Sequence, residues 1–177
     1  SVALVSLSTV VLFRIRSGNG ARVSVVPRWF AAVAHTASAA VAVTILVGIL
    51  TTGSGPHAGD EGAARNNLDS ELLQHIHSWP AYVTFGLTIV LLIAAYSLAL
   101  TEQRRWLWGL LAVEVVQIIV GVTQARLGLP PFMVGAHMVL ACILAAAMTA
   151  VVLSLSRRGP TNAGVAHAAD EQGITVR

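Results

Sequence analysis

The chain has no lysine, a single cysteine and few charged residues of either sign. Charged side chains make up 11% of its 177 residues, against roughly 25% in an average soluble domain. One cysteine, Cys142, excludes a disulfide scaffold, and a 55% hydrophobic content excludes intrinsic disorder. Scattered arginines argue against nucleic-acid binding, although the net charge is +3. With a mean hydropathy of +0.74, the composition fits a membrane as solvent.

Four apolar stretches are long enough to cross a bilayer, which takes about 20 residues in a helix. They run over residues 29–52, 75–100, 105–127 and 132–156. A shorter apolar run over residues 1–15 is interpreted as the tail of a truncated transmembrane helix. Helices satisfy their own backbone hydrogen bonds in lipid. The sequence therefore predicts an all-α membrane protein, in which a four-transmembrane-helix bundle (29–156) follows the end of a preceding helix.

The arginines divide into two sets along the chain, and this division predicts the topology. The larger set is Arg14, Arg16, Arg22, Arg28, Arg104, Arg105, Arg157, Arg158 and Arg177. The smaller set, Arg65 and Arg126, comes with the acidic residues Asp60, Glu61, Asp69 and Glu71. Because basic loops remain in the cytoplasm, we expect a multi-pass protein of the cell membrane. The loop 16–28 and a disordered tail 157–177 would then be cytoplasmic, and the loop 53–74 would lie outside.

Two of the six histidines, His77 and His137, lie at similar depth near the outer ends of separate helices. Two such histidines can sandwich a planar cofactor through its iron. The helical face of His77 carries small and hydroxyl residues typical of a helix interface, whereas His75 points roughly the opposite way. His35 lies about 25 Å deeper in its helix and is excluded from the same iron. The alternative is that both histidines are ordinary interfacial polar residues. His167 is assigned no role. His57 is typical of a solvated loop histidine, and the roles of His57 and His35 are left open.

The third full helix carries a polar face formed by Glu114, Gln117, Gly121 and Gln124, which recur at intervals of three and four. A carboxylate in a membrane span is costly and rarely faces lipid. Glu114 and Gln124 are therefore predicted to line a cofactor or a proton path, or else to make interhelical hydrogen bonds. On the outer side, Arg65 and Arg126 are either partners for cofactor carboxylates or solvated loop residues.

Several motifs together resemble the C-terminal half of heme A synthase. They are TGSGPHAGD at 52–60, RNNLD at 65–69, GVTQARLGLP at 121–130 and VGAHM at 134–138. The resemblance covers residues 29–156. It implies a family of eight membrane helices in two four-helix bundles, each with a histidine pair. By position, His77 and His137 match the pair that holds heme b, and residues 1–15 match the end of the fourth helix.

The resemblance also implies an oxidoreductase activity, the conversion of heme O to heme A by oxidation of a ring methyl to formyl. Heme O, the substrate, comes from heme O synthase, and the product serves assembly of aa3-type cytochrome oxidases. The substrate-side bundle of the family has a glutamate three residues before its first histidine. Here that position is Gln74, which cannot act as a base. This half is therefore expected to transfer electrons, with the oxidising residues in a missing half. The outer loop also lacks the cysteine pair of many family members.

Two other functions remain open from the sequence. A non-enzymatic b-type cytochrome would use the same heme to pass electrons to or from quinone. A heme-free transporter or assembly factor would use Glu114 in a proton path. The electron acceptor and self-association are left open as well.

Overall fold

The computed structural model describes residues 2–16, 20–54 and 68–158, most of which are helical. The elements in chain order are α1 (Val2–Arg16), β1 (Arg22–Ser24), α2 (Arg28–Ser54), α3 (Ser70–Ser97), α4 (Thr101–Arg126), α5 (Pro131–Ser154) and β2 (Ser156–Arg158). Helices α2 to α5 are each long and apolar enough to cross a membrane. The predicted all-α membrane fold, with four full helices and a shorter one before them, is therefore confirmed.

Helix α3 differs most from its predicted bounds, because its start is determined by a polar cap. The Asp69 side chain accepts hydrogen bonds from the backbone N–H groups of Glu71 and Leu72. This N-cap satisfies two of the free donors of the first turn and adds polar residues that the apolar run had excluded. The helix ends at Ser97, shortly before Ala99, whose φ of 52° begins the turn into α4.

The four long helices form a closed ring. Helix α2 packs against α3, α3 against α4, α4 against α5, and α5 against α2. Helices α3 and α5 therefore lie across the bundle from each other, as α2 and α4 do. Helix α1 packs against α5 outside the ring, and its Phe13 ring lies 5.4 Å from the Trp106 ring of α4.

A short two-stranded sheet closes one end of the bundle. Strands β1 and β2 pair antiparallel, with Arg22 opposite Arg158, and the Val25 N–H donates to the Leu155 carbonyl at 3.0 Å. The sheet joins the predicted 16–28 loop to the first residues of the predicted tail. It places at one end six arginines of the larger set, which are Arg22, Arg28, Arg104, Arg105, Arg157 and Arg158. Residues 159–177, where we expect a disordered tail, lie outside the described residues.

The bundle divides into two halves along its axis. The arginine half comprises residues 28–43, 89–97, 101–113 and 142–154; the histidine half comprises 44–54, 70–88, 114–126 and 131–141. Among the described residues, the buried apolar side chains within these helices all lie in the arginine half, including Phe30, Leu91, Leu107, Leu110 and Val151. The buried residues of the histidine half are instead polar, and they are Thr44, Thr84, Thr88 and Glu114.

Candidate functional site in the histidine half

His77 of α3 and His137 of α5 meet in the interior of the histidine half. Their ring centroids lie 6.3 Å apart, and the ring planes are inclined at 74°. Counted from the arginine end, His77 is 20 residues before the end of α3 and His137 is 17 before the end of α5. At 1.5 Å per residue these depths differ by only about 5 Å. The fold thus brings the two predicted residues together across the bundle.

The other histidines of the described helices lie away from this pair. His75 is exposed on the outer face of α3, as predicted from the opposite directions of residues two apart. His35 is exposed near the arginine end of α2. His57 and Arg65 lie outside the described residues. Arg126 is exposed in the last turn of α4, at the histidine end.

A glycine from a neighbouring helix leaves room for each imidazole. A Cβ added to Gly48 of α2 would lie 2.9 Å from Cε1 of His77, and one added to Gly121 of α4 would lie 3.0 Å from Cε1 of His137. Real Cβ atoms essentially never lie within 3.0 Å of another heavy atom, as one at Gly48 would, and a contact of 3.0 Å, as at Gly121, is tighter than most real Cβ contacts. Helices α2 and α4 therefore need glycine at this depth. Sequence reasoning missed Gly48, and with it the contribution of α2 to the site.

The polar face of α4 points into the bundle as predicted. Gln117 donates through Nε2 to the main-chain carbonyl of His137 at 3.2 Å, and the same nitrogen lies 3.5 Å from Nε2 of the His137 ring. Glu114 is only 5% exposed, and its Oε1 accepts a hydrogen bond from the Thr88 hydroxyl of α3 at 2.8 Å. The interhelical hydrogen bonds that the sequence offered as one alternative are thus present.

Five buried polar atoms of the histidine half have no hydrogen-bond partner within the described part of the chain. They are Nδ1 of His77, Nδ1 of His137, Oε2 of Glu114, Oε1 of Gln117 and Oε1 of Gln124. A buried polar group without a partner costs free energy, so a cluster of them in one place calls for an explanation. In the arginine half, by contrast, buried Gln103 donates to the Ser154 carbonyl at 2.5 Å. The unpartnered groups mark the histidine half as the candidate binding site.

The two imidazoles of His77 and His137 suit a metal ion whose other ligands come from a cofactor rather than from the protein. Within the described ranges no three His, Cys, Asp or Glu side chains group as a metal site, so two imidazoles are what the helices offer. Iron in a porphyrin takes its remaining ligands from the protein, and histidine is a common choice. Two imidazoles on one metal, at bond lengths of about 2 Å, have their centroids about 6 Å apart. The observed separation of 6.3 Å fits that arrangement.

The fold and site together define a class: a multi-pass helical membrane protein whose four-helix bundle carries a histidine pair in a polar half. No family model, no curated protein and no solved structure matches the chain.

Proposed function

We propose that the bundle binds heme b between His77 and His137 and serves as the electron-transferring half of a heme A synthase. The observation that carries the proposal is the imidazole pair, 6.3 Å apart across the bundle, whose buried Nδ1 atoms have no partner among the described residues. When bound, heme supplies one-electron redox chemistry. With both imidazoles holding the iron, no position would remain open on it, which would suit electron transfer rather than oxygen binding.

The surroundings of the pair support a flat ligand. Because residues 48 and 121 are glycines, the two flanking helices present no side chain at these positions beside the rings. Gln117 and Gln124 bring buried amides to the same interior. The half of the bundle that would hold the ligand is also the half whose described residues contain no buried apolar cluster. These features together favour a cofactor site over two unrelated interfacial histidines.

The assignment to heme A synthase rests on the sequence resemblance. In this proposal, oxidation of the heme O methyl takes place in the other half of the enzyme, and the heme b held by His77 and His137 would supply one-electron transfer. Gln74 supports the division of labour, because glutamine cannot serve as a base three residues before His77. We place the histidine end on the outer side of the cell membrane and the arginine end in the cytoplasm, since basic residues are retained there.

The absorbance spectrum of the protein, purified from cells and kept in detergent or nanodiscs, tests heme binding. We expect a Soret band and a b-type pyridine hemochrome near one heme per chain, reduced at least tenfold in His77→Ala and in His137→Ala. The matched controls are His75→Ala, two residues from the ligand on the same helix, and His35→Ala on α2; both should keep the band. A wild type without heme, or a band that survives both ligand substitutions, would sink the assignment.

One observation favours a different function. Glu114 is a buried carboxyl in a membrane span with one unpartnered oxygen, as expected for a proton path in a heme-free transporter. A heme-free wild type that remains folded would favour it. The b-type cytochrome would give the same spectrum as the synthase. Conversion of supplied heme O to heme A by the protein joined to a bundle with a Glu-x-x-His motif would distinguish the synthase from the cytochrome.

A further inference from the structure

The two histidines are held by different kinds of contact. Each ring rests on the neighbouring helix against a glycine and against the residue four positions before it, which lies on the same helical face. For His77 these residues are Gly48 and Thr44, and Thr44 contacts the ring through its backbone. For His137 they are Gly121 and Gln117, and Gln117 uses its side-chain amide. Only the His137 contact therefore involves a side-chain functional group.

The amide of Gln117 has a defined orientation. Its Nε2 donates to the main-chain carbonyl of His137, and turning the amide over would place two oxygens against each other. The same Nε2 therefore remains beside the His137 ring, 3.5 Å from its Nε2 atom. Gln117 thus contacts the backbone and the imidazole of one residue at once, and Gly121 limits the ring one turn away.

From these contacts we infer that Gln117 is the positioning residue for His137: its amide orients this imidazole, while the backbone of α2 orients that of His77. The inference rests on the proposed function, in which His137 is an axial ligand. Groups that contact a metal-bound histidine orient its ring and adjust its basicity. The positive end of the Gln117 amide faces His137, so it should favour the reduced, less positively charged iron. Gln117 would then adjust the potential of the heme through one ligand only.

The test replaces Gln117 by methionine in the full chain with heme bound. Methionine preserves length and approximate volume but has no N–H to donate. We expect a lower midpoint potential, by an amount equal to about a tenfold change in the reduction equilibrium, or about 59 mV for one electron. The low-spin ferric EPR signal should also shift and broaden, because the ring orientation is no longer restrained. A structural packing role would leave both measurements unchanged.

Two matched controls separate this effect from general disturbance. Gln103→Met changes the same residue type about four turns before Gln117 on α4, in the arginine half, where the Gln103 amide donates to the Ser154 carbonyl. Thr36→Val makes a threonine-to-valine change on α2 in the arginine half, where the exposed Thr36 hydroxyl bonds within its own helix to the Ala32 carbonyl at 3.0 Å. Both variants should keep the wild-type potential and EPR signal.

A second variant, Gln117→Glu, covers the case in which Gln117→Met does not fold or load heme. A carboxylate at this position cannot donate to His137 and favours oxidised iron by its charge, so it should lower the potential further. Wild-type potential and EPR signal in a heme-loaded Gln117 variant, or an equal change in Gln103→Met, would overturn the inference. If the wild type lacks heme, it is the proposed function that fails.

Discussion

The arginine half and the histidine half are made from the same four helices, yet they are built on opposite principles. The arginine half is filled by packed apolar side chains, and its buried Gln103 has a main-chain partner. The histidine half contains buried hydroxyl, amide, carboxyl and imidazole groups, and five of their atoms lack partners within the described ranges. Because unpaired polar groups are costly in a membrane, this contrast separates a half that maintains the fold from a half that is available for a ligand.

The largest effect is expected where the histidine half has no room for a side chain. Gly48→Val and Gly121→Val would each place atoms within contact distance of an imidazole ring, so the ring must move. We expect heme affinity to fall about tenfold or more, as when groups supporting a metal ligand are lost. Titration of heme into the heme-free protein would measure it.

The control for the glycine variants lies in the arginine half. A Cβ at Gly109 of α4 meets no atom within 4 Å, so Gly109→Val introduces the same side chain into a membrane helix without affecting the rings. Heme affinity should remain at the wild-type value. Equal losses in all three variants would mean that valine disturbs the helices generally and that the two halves do not differ in this respect.

A smaller effect is expected at the Thr88–Glu114 hydrogen bond. Thr88→Val removes the donor to Oε1 of Glu114, and because Oε2 already lacks a described partner, both oxygens would be left unsatisfied. The expected loss is about 1 to 3 kcal/mol in the free energy of unfolding, measured by thermal or denaturant unfolding in detergent. Thr36→Val is the matched control, since Thr36 is exposed and bonds only within its helix, to the Ala32 carbonyl.

The double variant Thr88→Val/Glu114→Leu tests whether the loss of stability in Thr88→Val comes from the unsatisfied carboxyl of Glu114. Replacing both partners with apolar groups removes the unsatisfied carboxyl as well as the donor, and such pairs of changes are often nearly neutral. We therefore expect the double variant to be more stable than Thr88→Val alone. A double variant that is less stable would show that Glu114 contributes to folding through contacts other than this hydrogen bond.

Some elements of the fold could be predicted from the sequence and others could not. The positions of α2 to α5 could be predicted from the long apolar runs, because a membrane-spanning helix must be long and apolar. The small and hydroxyl residues on one face of α3 correctly predicted that His77 faces the interior of the bundle. The pairing of β1 with β2 could not be predicted, since each strand has three residues, without alternating apolar positions.

Within the site, the sequence identified the polar side chains but not their partners. Gly48 lies among the small and apolar residues of α2, and nothing in that run distinguishes it from a packing glycine. Gln117 and Gln124 share a face of α4, so periodicity treats them alike. Only the register of α4 against α5, a property of the folded bundle, brings Gln117 and not Gln124 to His137.

The smallest effect is expected at the surface of the arginine half. Arg157 of β2 forms a salt bridge with Glu102 of α4 at 2.7 Å, but the two side chains are 69% and 35% exposed. Exposed pairs of this kind contribute about 0 to 1 kcal/mol and are screened by salt. Arg157→Gln should therefore lower the free energy of unfolding by at most about 1 kcal/mol at low salt, with the difference vanishing at high salt and heme binding unchanged. A loss of several kcal/mol would contradict this, and would mean that the arginines stabilise the bundle rather than mainly setting its orientation in the membrane.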